Sequence, residues 1–189
     1  MALLETVILF GIVLVAIGVV LYVVIVYNSL VRLRKDIDRT WANIDVILKQ
    51  RTDELTKLLD TVKGYMKYEK DLLNQLTRLR TEFLRAKTIA EKAKVSGELS
   101  AALKTLFAVA ENYPNLKANE SFLQLQSRIS GLENELADRR ELYNNSVTEF
   151  NIRINQVPDR FVAGMLGYNT PQELFKATEA EKAEVKIKF

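Results

Sequence analysis

The chain has 189 residues, 27 Lys and Arg against 24 Asp and Glu for a formal net charge of +3, and neither cysteine nor histidine. Those two absences remove disulfides, thiol nucleophiles, thiolate or imidazole metal ligands and the commonest general base, so most familiar enzyme classes fall away and no cofactor or metal is expected. With only 7 Gly and 3 Pro, the composition favours long helices, and the roughly 160 residues beyond an N-terminal apolar run suffice for one modest core.

Residues 7–26 read VILFGIVLVAIGVVLYVVIV. At 1.5 Å rise per residue this uncharged run matches a bilayer core of about 30 Å, which predicts a transmembrane helix. A cleaved signal peptide is the competing reading, but the leader MALLET carries no Lys or Arg and no small-residue cleavage site comes after the run. Arg32, Arg34, Lys35 and Arg39 lie close behind the span; the positive-inside rule therefore puts residues 1–6 outside and the large C-terminal part in the cytoplasm. Tyr22 and Tyr27 suit the headgroup layer at its end.

Beyond the span, apolar residues recur at steps of three or four. Leu30, Leu33, Ile37, Trp41, Ile44, Leu48, Leu55, Leu58 and Val62 form the stripe of a first helix that breaks at Gly64. Tyr65, Tyr68, Leu72, Leu76, Leu79 and Phe83 form a second, ending near Lys87. Thr88 with Glu91 has the spacing of a reciprocal cap and opens a third helix, carrying Val95, Leu99, Leu103, Leu106 and Ala110 and stopping before Pro114. A fourth, N-capped by Asn119, carries Phe122, Leu125, Ile129, Leu132, Leu136, Tyr143, Val147, Phe150 and Ile154 and ends before Pro158.

Two long and two shorter helices on short connections predict an all-α fold: an antiparallel up-down-up-down four-helix bundle over residues 27–157 behind the transmembrane helix. A dimeric coiled coil of extended rods is the alternative. The remaining segment, residues 158–189, is expected to hold a short helix from Pro171 to about Thr178, capped by Thr170 with Glu173 reciprocating, and then an extended tail. In that tail Val185, Ile187 and Phe189 alternate with lysines, as a segment added to a neighbouring subunit would, or as a frayed end would.

Candidate site residues are polar interruptions of these seams. Arg51 breaks the first stripe and Arg139 the fourth, with Asp53 and Asp138 nearby; an antiparallel pairing would bring them together as a register-setting layer, or alternatively as a ligand or partner site. Asn43 and Asp45 fall off the first stripe, where they face solvent or contact a subunit, whereas Trp41 lies on it and is expected in the core. Asp38, Asp45 and Asp53 show no convergence into a pocket that acid–base catalysis would need. No glycine-rich phosphate loop and no basic face interleaved with aromatics occurs, so nucleic acid is not an expected partner.

The run Tyr27-Asn-Ser-Leu-Val-Arg-Leu-Arg34, then Trp41-Ala-Asn-Ile-Asp-Val46, Thr61-Val-Lys-Gly-Tyr65, Asn112-Tyr-Pro-Asn-Leu-Lys-Ala-Asn119 with Phe122, and finally Tyr143-Asn144 with Phe150-Asn151 resembles the LemA family of bacterial membrane proteins. Departures are Thr52-Asp-Glu-Leu-Thr56, where members often have Pro, and Tyr68, where a His before Glu69 is common. The resemblance implies an anchored helical bundle with no established catalytic residues, and members associated with membrane proteolysis and envelope stress, sometimes beside a membrane metalloprotease. The expected function is a non-enzymatic, self-assembling scaffold or adaptor in the membrane, with a homo-oligomer and other envelope proteins as partners. The alternative is a sensor that binds a small ligand at the Arg51 and Arg139 layer.

Overall fold

The computed structural model of the protein describes residues 1–176. Within them, helices occur in chain order as α1 (Ala2–Val62), α2 (Lys70–Arg85), α3 (Ile89–Ala110), α4 (Pro114–Lys117), α5 (Glu120–Asn155) and α6 (Asp159–Met165). No strand occurs among the described residues, as the composition and three-four spacing predict. The chain divides into two compact units, one of residues 1–39 with 145–172 and one of residues 40–144 with those from 173 onward. Both α1 and α5 contribute to each.

In the first unit, residues 1–22 are exposed without exception, and this part of α1 is long and apolar enough to cross a membrane. Burial begins at Val26 and Leu30, which are 1% and 0% exposed, so the last turn of the predicted span already meets protein. Ile37 from α1, Val147, Phe150 and Ile154 from α5, and Val162 and Ala163 from α6 are the other buried apolar residues of this unit. Phe150 meets Tyr168 edge-on at 5.4 Å between ring centres. The chain leaves α6 through Gly167, whose φ of +76° lies in the left-handed region that glycine adopts without a Cβ penalty.

The second unit has a continuous apolar core that includes Leu55, Leu58 and Val62 of α1, Leu76 and Leu79 of α2, Leu99, Leu103 and Leu106 of α3, and Phe122 and Ile129 of α5. Side chains at such three-four spacings each remove an apolar surface from water, a gain of roughly 1.5–3 kcal/mol per fully buried side chain. α1 stops at Val62 because the next amides turn back: Tyr65 and Met66 both donate to the Val62 carbonyl, at 3.0 and 2.9 Å, and the Met66 side chain plugs the core. Tyr65 and Tyr68, expected to begin the second stripe, are therefore in this turn, and Tyr68 is 92% exposed. The Tyr65 hydroxyl instead accepts from Asn119 at 3.1 Å. Across the same end, Tyr113 donates to the Glu69 carboxylate at 3.0 Å; partial burial and then this bond raise its phenol above the ordinary value.

Caps set the other boundaries. Thr88 Oγ1 accepts from the Glu91 amide at 3.1 Å while the Glu91 carboxylate accepts from the Thr88 and Lys87 amides at 3.1 and 2.8 Å, so α3 starts at Ile89 with its first donors satisfied. Pro114 opens the single-turn α4, which the stripe pattern does not show. Asn119 Oδ1 accepts from the Phe122 amide at 3.0 Å, as an N-cap of α5 does.

The helix expected to begin at Pro171 is absent from its described part, since residues 171–176 carry no helical turn. Local capping signals are overridden by side chains of α5 that take the backbone groups a helix would need. In the first unit the Asn151 side-chain amide holds Gln172 by both its N–H and its carbonyl, at 2.7 and 2.9 Å. In the second unit Asn144 holds Phe175 the same way, at 2.8 and 3.1 Å, and Tyr143 donates to the Glu173 carbonyl at 3.0 Å. The tail residues Val185, Ile187 and Phe189 lie outside the described residues.

The α3 cap yields a direct expectation. Thr88→Ala should lower unfolding free energy by about 1 kcal/mol in urea denaturation. The amides of Thr88 and then Lys87 hold the Glu91 carboxyl below its ordinary value of 4.5, so this stabilisation is present at neutral pH and is lost as pH falls through the lower folded value. The Glu91→Gln and wild-type stability curves should accordingly converge under acid, and a constant gap down to full protonation would contradict the assignment.

Candidate functional site

The most unusual feature of the second unit is a charge inside its core. Arg51 is 1% exposed, although the two residues a turn away on the same stripe, Leu48 and Leu55, are ordinary core side chains. A buried guanidinium is costly unless each donor finds an acceptor. α5 and α3 supply acceptors for both terminal nitrogens. Arg51 Nη2 lies 2.7 Å from Glu133 Oε1 and donates to Ser100 Oγ at 3.0 Å, and Nη1 donates to Ser96 Oγ at 3.1 Å. Ser100 Oγ in turn donates to Glu133 Oε2 at 2.9 Å. A second arginine enters from α5: Arg140 Nη2 donates to Ser96 Oγ at 2.9 Å and its guanidinium carbon lies 4.5 Å from the Phe175 ring centre.

The sequence of α3 makes room for this layer. Ala93, Ser96, Gly97 and Ser100 are all buried, so the helix presents small side chains where two guanidinium groups must approach its backbone. On α5, Glu133 and Arg140 occupy seats of a strict alternation that runs Ile129, Glu133, Leu136, Arg140, Tyr143, Val147, Phe150, Ile154. These two, with Ser96 and Ser100, are the layer residues that the apolar stripes alone do not reveal. The signal that finds them is the unbroken three-four count continued through polar residues.

Of the four residues expected to pair, the layer contains Arg51 alone. Asp53 and Asp138 are exposed, and Arg139 Nη2 pairs along its own helix with Glu135 at 3.2 Å. The physical reason is azimuth: Arg139 sits one position, about 100°, away from the Arg140 seat. Asn43 is exposed, whereas Asp45 pairs with Lys92 of α3. Lys92 Nζ also lies 5.7 Å over the Trp41 ring, and Trp41 contacts Tyr143 and Phe175 at 5.8 and 6.1 Å between centres. Trp41 is thus half-buried in an aromatic cluster flanked by two cations, with its apolar surface covered in part by Phe175 of the extended segment. A further acid, Glu54, is 5% exposed and is paired with Lys57 at 3.1 Å and Arg128 at 3.3 Å.

Chemically, the layer is a buried network in which the two serine hydroxyls and the Glu133 carboxylate meet the terminal nitrogens of Arg51. Ser96 and Ser100 are 0% and 6% exposed, so their hydroxyls are out of reach of a substrate carbonyl, and nucleophilic attack from them has no approach path. Among the described residues no group of three or more Asp or Glu is placed to hold a metal ion. Open grooves lie elsewhere in this unit, one of about 350 Å³ lined by residues including Glu82, Arg85, Glu91 and Lys94 and one of about 340 Å³ beside Glu54, Lys57 and Arg128.

A buried polar layer on α1, α3 and α5, together with a C-terminal segment gripped by a Tyr-Asn pair, defines the class as an all-helical domain with a charged core layer. A family model described as the LemA family matches residues 40–189, and the chain belongs to that family. It is 30% identical over 164 residues to the protein LemA of Metamycoplasma hominis, covering 84% of this chain and 72% of that one. It is 23% identical over 168 residues to the magnetosome proteins MamQ 1 and MamQ 2 of Paramagnetospirillum magneticum, covering 75% of this chain. The chain spans 62% of the length of those two proteins.

Removing one partner from the layer should cost more than removing both. Glu133→Leu leaves Arg51 charged in the core and should lower unfolding free energy by about 3 kcal/mol, the low end for a broken buried pair because Glu133 keeps some solvent contact. The double variant Arg51→Met, Glu133→Leu should recover most of that loss, read as denaturant midpoints. A double variant as unstable as the sum of the two single variants would mean that Arg51 and Glu133 are not coupled, and would contradict the pairing.

Proposed function

We propose that the protein is a non-enzymatic, single-pass scaffold or adaptor of the bacterial inner membrane, with residues 1–6 outside, residues 7–26 in the bilayer and the helical domain in the cytoplasm. The observation that carries this reading is the continuity of α1, which runs as one helix from a fully exposed apolar segment to core residues of the second unit. An apolar run whose residues 7–22 are all uncovered by protein needs lipid around it, and the Arg32, Arg34, Lys35 and Arg39 cluster favours the cytoplasmic side for the helical domain.

On this reading α1, α2, α3 and α5 pack as an antiparallel four-helix bundle. Support comes from the order of partners: Glu54 meets Arg128, Arg51 meets Glu133, and Tyr65 meets Asn119, so numbers rise along α1 as they fall along α5. A bundle whose polar layer is packed away from solvent offers its outside rather than its inside for function. Exposed apolar residues of the second unit, such as Val46, Leu84 and Leu123, are places where another copy or a partner protein would bury area. Self-assembly and a role beside a membrane metalloprotease in protein quality control belong to the same proposal.

Two measurements test it. The full chain should stay with membranes through an alkaline carbonate wash, and crosslinking in native membranes should give complexes well above the 21.6 kDa of one chain. Release by carbonate would overturn the anchor, and a chain that crosslinks neither to itself nor to another protein would overturn the scaffold.

A further inference from the structure

Helix α6 carries an apolar face that its own unit does not cover. Phe161 and Met165, one turn apart on it, are 69% and 82% exposed, and Val157, in the turn that precedes the helix, is 68% exposed. The opposite face is buried through Asp159, Val162 and Ala163. The location of α6 within this unit is set by Asp159, which accepts from the Tyr22 hydroxyl of α1 and pairs through its other oxygen with Arg153 of α5.

Tyr22 lies within the apolar run 7–26. If that run fills a hydrocarbon core of about 30 Å, Tyr22 is only about 6 Å short of its cytoplasmic boundary at 1.5 Å per residue. Sliding α1 toward the cytoplasm to bring Tyr22 fully into water would draw Glu5 into the hydrocarbon from the other side, which a carboxylate resists. A side chain bonded to Tyr22 is therefore at the lipid boundary as well. Asp159 suits that depth, because its charge is met by Arg153 and its second oxygen by a phenol. The exposed Arg160 beside Phe161 supplies a cation where phosphate headgroups would be.

We propose that α6 is an interfacial membrane element: Phe161 and Met165, with Val157 of the preceding turn beside them, dip into the acyl boundary of the cytoplasmic leaflet, and Arg160 lies among its headgroups. The inference rests on the reading that residues 7–26 cross the bilayer, and it adds a second lipid contact, far from the first in sequence, that fixes the tilt and rotation of α1 at the surface.

Because the chain has no cysteine, single-cysteine spin labels test this on the full protein in vesicles of phosphatidylcholine and phosphatidylglycerol. Leu14→Cys serves as the buried reference and Thr81→Cys as the aqueous one. Labels at Phe161→Cys and Met165→Cys should collide with oxygen more often, and with a water-soluble nickel chelate several-fold less often, than the Thr81→Cys label. If both behave like the Thr81→Cys label while Leu14→Cys remains deep, the anchor stands and the interfacial role of α6 is overturned. If Leu14→Cys is itself accessible to the chelate, the anchor and this inference fall together. Spin–spin broadening at Met165→Cys that disappears on dilution with unlabelled chain would assign the face to a second copy, and overturn the lipid assignment.

Discussion

A single buried cation governs the second unit. Arg51 occupies a core seat of α1, and its guanidinium has acceptors only when Glu133 of α5 and the Ser96 and Ser100 hydroxyls of α3 stand at the same level. Apolar side chains tolerate a helix sliding or turning by one residue, because leucine on leucine packs passably in several alignments. A charged layer does not: a shift of one seat strands an unpaired charge. The leucine-rich core above and below supplies the driving force, and the layer narrows the ways it can be assembled.

The extended segment after α6 depends on a related economy of polar groups. A chain lying flat against helices has backbone N–H and carbonyl groups with no helix or strand to satisfy them. Asparagine solves this because its side-chain amide has the same donor and acceptor as the peptide group, so Asn144 and Asn151 each complete one residue of the segment. In the second unit this places Phe175 against Trp41 and beneath Arg140. The Tyr143-Asn144 and Phe150-Asn151 pairs thus share a division of labour, an aromatic ring turned into the core and an amide turned to the segment.

In the first unit, the same residues serve two environments. Up to Tyr22, α1 has no protein neighbours to cover it, and from Val26 it does. Asp159 is the polar member at this change, held by a tyrosine and an arginine. The uncovered apolar residues of α6 on one side of that contact and the uncovered run of α1 on the other are consistent with one lipid surface meeting both.

Much of this was legible in the residues. The ends of α1, α3 and α5, the Thr88 and Asn119 caps and the apolar run depend on interactions within a turn or two of chain, and these are encoded by composition and period alone. Tertiary structure decided every choice between near-equivalent neighbours. Arg140 rather than Arg139 joined the layer because one residue is about 100° of helix rotation, and only the packed partner says which direction faces inward. Likewise Thr170, Pro171 and Glu173 spell a helix start locally, yet the amides of Asn144 and Asn151 hold that stretch extended, since bonds from a helix already in place outweigh a cap whose helix has still to form.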